Sequence, residues 1–169
     1  INFKDWIERE GLGFAPVHVD IEAYMQSEIA VEWLSNSSHN PRRELQNMKR
    51  MTDAIAADVT NDILQMADRA DLFISGILTL EALHTLARVT DKRLVVGLLS
   101  PFTPTRSGAA GLQALLPRSD SIINRWWGYM IEVMMFSVLR SPSNGVRQRL
   151  NLPPVTRREF LTAWNETPA

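Results

Sequence analysis

The 169-residue chain has no cysteine. Disulfides, thiol nucleophiles and thiolate metal ligands are thereby excluded. This composition suits a reducing cytosol, and a cytoplasmic location is expected. An excess charge of one sign is also lacking, since 18 Lys and Arg stand against 19 Asp and Glu for a net −1. No field is available to draw in DNA or RNA, and the basic residues are dispersed apart from short clusters such as Pro41-Arg42-Arg43 and Arg157-Arg158. Nucleic-acid binding is not expected. Histidine is scarce, with residues 18, 39 and 84 too far apart in sequence for a metal set, so no metal is expected. P-loop, HExxH, GxSxG, EF-hand and GxGxxG patterns are all missing. No basic, then apolar leader opens the chain. It begins at Ile1 in what reads as the middle of a fold, so a fragment is expected.

What is present is an ordinary globular composition. Hydrophobic residues make up 45% and charged ones 22%, which argues for a packed core and against disorder. The length fits one domain over 1–169, enough to bury about 70% of the unfolded surface. Phe3, Trp6 and Ile7 predict a helix over 1–10 with Gly11 as its stop. Phe14 to Val19 reads as a short strand, placed at an edge or a strand start by Pro16. A weak helical pattern follows over 21–34. Asn40 and Pro41 then open a helix of about seven turns. Its apolar stripe is Leu45, Met48, Ile55, Val59, Ile63 and Met66. Lys49, Arg50, Asp53, Asp58, Asp62 and Asp68 are read as solvated.

The period then changes. Leu72 to Gly76 predicts a strand, Leu80 to Val89 a helix, and Leu94 to Leu99 a second strand with both faces buried. Strand, helix, strand at this spacing predicts a right-handed βαβ unit in a parallel sheet. Ligands of such sheets bind beyond the carboxyl ends of the strands. The loop after Gly76 and the stiff Ser100-Pro101-Phe102-Thr103-Pro104-Thr105 loop are therefore the candidate site. Ile122 to Leu139 predicts a helix apolar almost all round. Arg125 and Glu132 argue against a membrane span. Pro142 predicts a break, and Val146 to Leu152 and Arg158 to Trp164 predict short helices. Trp126, Trp127, Tyr129, Met130, Met134, Met135 and Phe136 give an adaptable apolar surface, most of it core and part of it suited to a bulky apolar ligand. His84 reads as structural and His39 as a solvated loop residue. For His18, at a strand end, cleft lining is the lesser reading. No carboxylate pair stands out as an acid/base set.

Several stretches together carry a resemblance. They are Phe3 to Val17, Asn40-Pro41-Arg42-Arg43, Ala70 to Gly76, Leu98 to Thr105, and Asn144 to Pro154 with Arg147, Leu150, Leu152, Pro153 and Pro154. In order and spacing they resemble the N-terminal, acceptor-binding domain of GT-B glycosyltransferases of the sterol, macrolide and flavonoid type. The resemblance covers nearly the whole chain. It implies an α/β fold, a Rossmann-like three-layer parallel sheet flanked by helices. It implies an inverting transfer of a hexose from a nucleotide-diphosphate sugar to a hydroxyl of a lipophilic acceptor, with no further cofactor. It implies acceptor contacts from Gly76, Leu78, Phe102, Thr103, Trp127, Met130 and Met134, and a donor-sugar contact from Ser100. The catalytic base is expected upstream of Ile1, and the nucleotide-sugar domain after Ala169. Plant members carry an Asp after the fourth strand. That Asp orients a catalytic His; here Ile77-Leu78-Thr79 has no acid, with Thr79 near that position, which counts against a His–Asp dyad and leaves an upstream Asp as base or a different orienting group. A lipid acceptor would bring peripheral membrane contact, and apolar surface left by missing strands would favour a homo-oligomer. The alternatives are a non-catalytic binding module for an apolar ligand or partner protein, and, less well matched, a sugar-nucleotide epimerase or a Rossmann oxidoreductase.

Overall fold

The structure is a computed structural model that describes residues 3–19, 21–27, 30–31, 41–98, 104–107 and 120–166, side chains excepted at 21, 24, 41, 44 and 164–166. The chain divides into two compact units, 1–70 and 71–169.

In the first unit, helix α1 spans Lys4–Arg9 and buries none of its residues. Gly11 ends it in the left-handed region, at φ +74°, where a side chain would be strained. Residues 12–19 run on without entering a ladder, a departure from the predicted strand. Pro16 lacks a donor, and Ala15 to His18 are exposed, with no neighbouring strand among the described residues. Helix α2 spans Ile21–Met25 and helix α3 Pro41–Ala67. The α3 start agrees with Pro41 at the first helical position. Its most buried residues are Thr52, Thr60, Asp62, Ile63 and Ala67. The two threonines take part because their hydroxyls donate to Met48 and Ala56 carbonyls one turn back, leaving only methyls to bury. Asp62, expected on the solvated face, is 4% exposed.

The second unit holds β1 (Leu72–Ser75), helix α4 (Leu80–Thr90), β2 (Arg93–Val96), helix α5 (Ile122–Arg149) and helix α6 (Arg157–Glu166). The strands pair in parallel, Leu72 opposite Arg93 through Ser75 opposite Val96. The predicted βαβ unit is therefore present. The predicted three-layer Rossmann-like sheet is not: the protein is mostly helical, and its sheet has two strands among the described residues. Phe73, Ser75 and Val96 are buried, whereas Leu72, Ile74 and Val95 are exposed, Ile74 at 73%. One face of the sheet is covered and the other is not, so β2 is not the doubly buried strand its unbroken apolar run predicts.

Helix α4 packs on both strands and on α5 and α6. Leu80, Ala82, Leu86 and Ala87 are its contribution to the core, and Asp91 at φ 53° turns the chain into β2. Helix α5 adds Ile131, Met135, Val138, Leu139 and Val146, and α6 adds Phe160 and Ala163. Phe136 and Phe160 meet edge to face at 5.5 Å. Pro142 does not break α5, which runs 28 residues through it. A mid-helix proline costs about 3 kcal/mol. Pro142 is itself buried in the stripe that fixes α5 against the unit, and that packing offsets the missing hydrogen bond. The short helix predicted over 146–152 is the last turn of α5 and its exit.

Candidate functional site

Three places in the described residues bring chemistry-bearing side chains together. The first is the carboxyl edge of the βαβ unit. Ser75 ends β1 buried, its carbonyl accepting from Gly97 N–H at 2.9 Å across the sheet. Its hydroxyl donates to the Gly76 carbonyl at 2.8 Å and meets Thr79 Oγ1 at 3.0 Å. Thr79 thus spends its hydroxyl on the turn rather than on capping α4. Gly76 and Leu78 project from this turn, Leu78 at 68% exposure.

Residues 104–107 lie against the start of α5. Ser121 caps α5 by accepting from Ile123 N–H at 3.2 Å. Asn124, fully buried, donates to the Arg106 carbonyl at 2.9 Å, and Ser121 N–H donates to that same carbonyl. One turn on, Gly128 lets Pro104 lie directly on the helix. A Cβ there would come within 2.8 Å of Pro104 Cβ and 2.9 Å of its Cα. The buried residues in the first half of α5 are Asn124, Gly128, Ile131, Glu132 and Met135, and residues 122–130 are otherwise exposed. Ile122, Ile123, Trp126, Trp127, Tyr129 and Met130 are all exposed, a large apolar surface for one helix. Arg125 lies across Tyr129 and donates to its hydroxyl at 3.1 Å.

Of the residues expected at an acceptor site, Gly76, Leu78, Trp127 and Met130 are exposed and Met134 is half-buried. Ser100, Phe102 and Thr103 lie outside the described residues. Within α5, Glu132 is buried, and that burial raises its carboxyl above the ordinary value against a smaller opposing pull from Arg157.

The second place, in the first unit, is a pair that sequence separation hides. Asp62 accepts from His18 N–H at 2.8 Å and holds His18 Nδ1 at 2.5 Å. The carboxylate is sealed while the imidazole is exposed, so Nε2 faces water. The hydrogen bond to Asp62 and then its charge raise the His18 pKa, with a smaller push from Asp58.

The third place is a cleft of about 510 Å³ in the second unit. Arg147 forms its floor. Its guanidinium donates to the Pro153 carbonyl at 2.7 Å, Glu81 at 3.3 Å and Glu159 at 3.0 Å. Thr85 donates to the same Glu81 oxygen at 2.8 Å. Glu159 also closes a capping box with Thr156, whose N–H and hydroxyl hold the carboxyl below its ordinary value, helped by Arg147. Arg147 was visible in sequence only as part of the 144–154 resemblance, and Glu81 gave no signal. A charged residue in register with an apolar helical stripe is the clue that points to such a floor.

No group of three or more His, Cys, Asp or Glu able to hold a metal ion occurs among the described residues. None of the described helices is long and apolar enough to cross a membrane. No protein-family model, curated protein or solved structure matches the chain.

Proposed function

We propose that the chain holds a lipophilic acceptor for a glycosyltransferase that moves a hexose from a nucleotide-diphosphate sugar to an acceptor hydroxyl. The observation that carries this reading is the exposed apolar face of α5, Ile122, Ile123, Trp126, Trp127 and Met130, on the helix that residues 104–107 pack against. Its surface is rich in aromatic and thioether groups, which adapt to a bulky apolar body such as a sterol or polyketide. Gly76 and Leu78 supply the rim beyond β1. The chain's contribution to transfer is proximity and orientation of the acceptor hydroxyl. The base and the donor-sugar site are assigned by the resemblance to sequence before Ile1 and after Ala169.

The test is acceptor-dependent release of nucleoside diphosphate by the gene product with those flanking segments included, against a panel of hydrophobic alcohols. Trp127→Ala is expected to raise KM for the acceptor about tenfold, the loss of one large apolar contact. Release that is indifferent to every acceptor contradicts the transfer reading. Apolar-ligand binding by the chain without any sugar transfer favours the non-catalytic binding module instead.

A further inference from the structure

The cleft above Arg147 has a charge pattern that the acceptor reading does not use. Its walls are α4, with His84, Arg88 and Val89, and α6, with Arg158 and Thr162. Leu152 closes one side. Both acidic residues of the lining are already engaged: Glu81 with Arg147 and Thr85, Glu159 with Arg147 and Thr156. Arg147 in turn is committed to them and to the Pro153 carbonyl. Arg88 and Arg158 are different. Neither makes an ion pair or side-chain hydrogen bond among the described residues, and both line the cleft, Arg88 from α4 and Arg158 from α6. Three guanidiniums, Arg88, Arg147 and Arg158, stand against two carboxylates, Glu81 and Glu159, in the lining.

We infer that this cleft binds a phosphate group, gripped between Arg88 and Arg158. A guanidinium offers a planar fork that matches two oxygens of a phosphate, and two forks lining one cleft can take one dianion. Thr162 adds a hydroxyl donor on the α6 wall, one turn from Arg158. Val89 and Leu152 give the cleft an apolar side, which suits an organic phosphate monoester better than the free ion. A volume of about 510 Å³ accommodates a small phosphate ester rather than a macromolecule. The ester can be a soluble metabolite or the headgroup of an anionic lipid; the recognised chemistry is the same.

Calorimetric titration of the full chain with glycerol 3-phosphate tests the first source. Co-sedimentation with phosphatidylcholine vesicles, with and without phosphatidic acid, tests the second. At least one probe is expected to saturate below about 10 mM phosphate. Arg88→Ala with Arg158→Ala is expected to weaken that binding at least about tenfold, because the charge-assisted forks are lost. The paired lysine variant keeps the charge without the fork and is expected to fall between. Circular dichroism of the alanine variant should match the parent, since neither side chain holds the fold. Arg140→Ala, an exposed cation elsewhere on α5, is expected to bind as the parent does. The inference is overturned if neither probe saturates, if the double alanine variant binds undiminished, or if Arg140→Ala loses as much.

Discussion

At the scale of single residues, the strongest commitments are buried charges. Arg147 is the partner of Glu81, whose side chain is 2% exposed. Arg147→Ala strands that carboxylate, and breaking a buried pair from one side costs about 3–5 kcal/mol. Urea unfolding should show this as a lower midpoint. Glu132 works in the opposite sense. Burial raises its pKa, so above the raised value the folded state carries a charge it would rather not. Glu132→Gln is therefore expected to raise the melting temperature at neutral pH, with the gain vanishing as pH falls toward 4.5, the group's ordinary value. His18 has a raised pKa too, but as a base. Its pairing with Asp62 contributes fully below 6.5 and is lost as pH rises through the raised value. Asp62→Asn should move the His18 titration, followed by NMR, back toward 6.5, and should destabilise the protein more at pH 6 than at pH 9. None of these partners could be read from the sequence. Asp62 lies 44 residues from His18, and Arg147 lies 66 from Glu81. Helical periodicity gives each residue a face but not the residue opposite.

At the scale of elements, local signals worked where they were redundant. The α3 start carries Asn40 and Pro41 together, and the β1–α4–β2 unit combines a change of period with glycine after one strand and a charged turn before the other. They failed where a single residue had to decide. Pro142 alone predicts a break, yet the buried stripe from Ile131 to Val146 keeps α5 whole. Phe14 to Val19 has strand composition, but composition does not supply a neighbour, and this segment has no ladder partner among the described residues. Gly128 is the converse, an unremarked glycine in a helix that the packing requires. Gly128→Ala gains about 1 kcal/mol of helix propensity. It also drives a methyl into the rigid ring and backbone of Pro104, and overpacking costs about 1–3 kcal/mol. The net expectation is a small destabilisation. Faster amide exchange should be localised to residues 105–107, with the rest of α5 unaffected.

At the scale of the whole molecule, the expected three-layer sheet is absent from the described residues, and the second unit pairs helices with two parallel strands, leaving one sheet face and one helix face apolar and open. The outward half of α5 was legible as unusually apolar, but the sequence could not say which side of it faces out. That depends on Asn124 and Gly128, the two positions where the 104–107 turn is fastened. The resemblance implies Gly76, Leu78, Trp127 and Met130 as contact residues, and their exposure is the structural fact on which a test of that role starts. Acceptor binding requires that exposed face to take up an apolar body. The most direct measurement is titration of the full chain with a sterol, followed by tryptophan fluorescence and its quenching by acrylamide. Saturable binding that shields Trp127 and weakens about tenfold in Trp127→Ala is the predicted result. Fluorescence that is indifferent to sterols and to other lipophilic alcohols, with α5 as accessible to acrylamide as before, contradicts it.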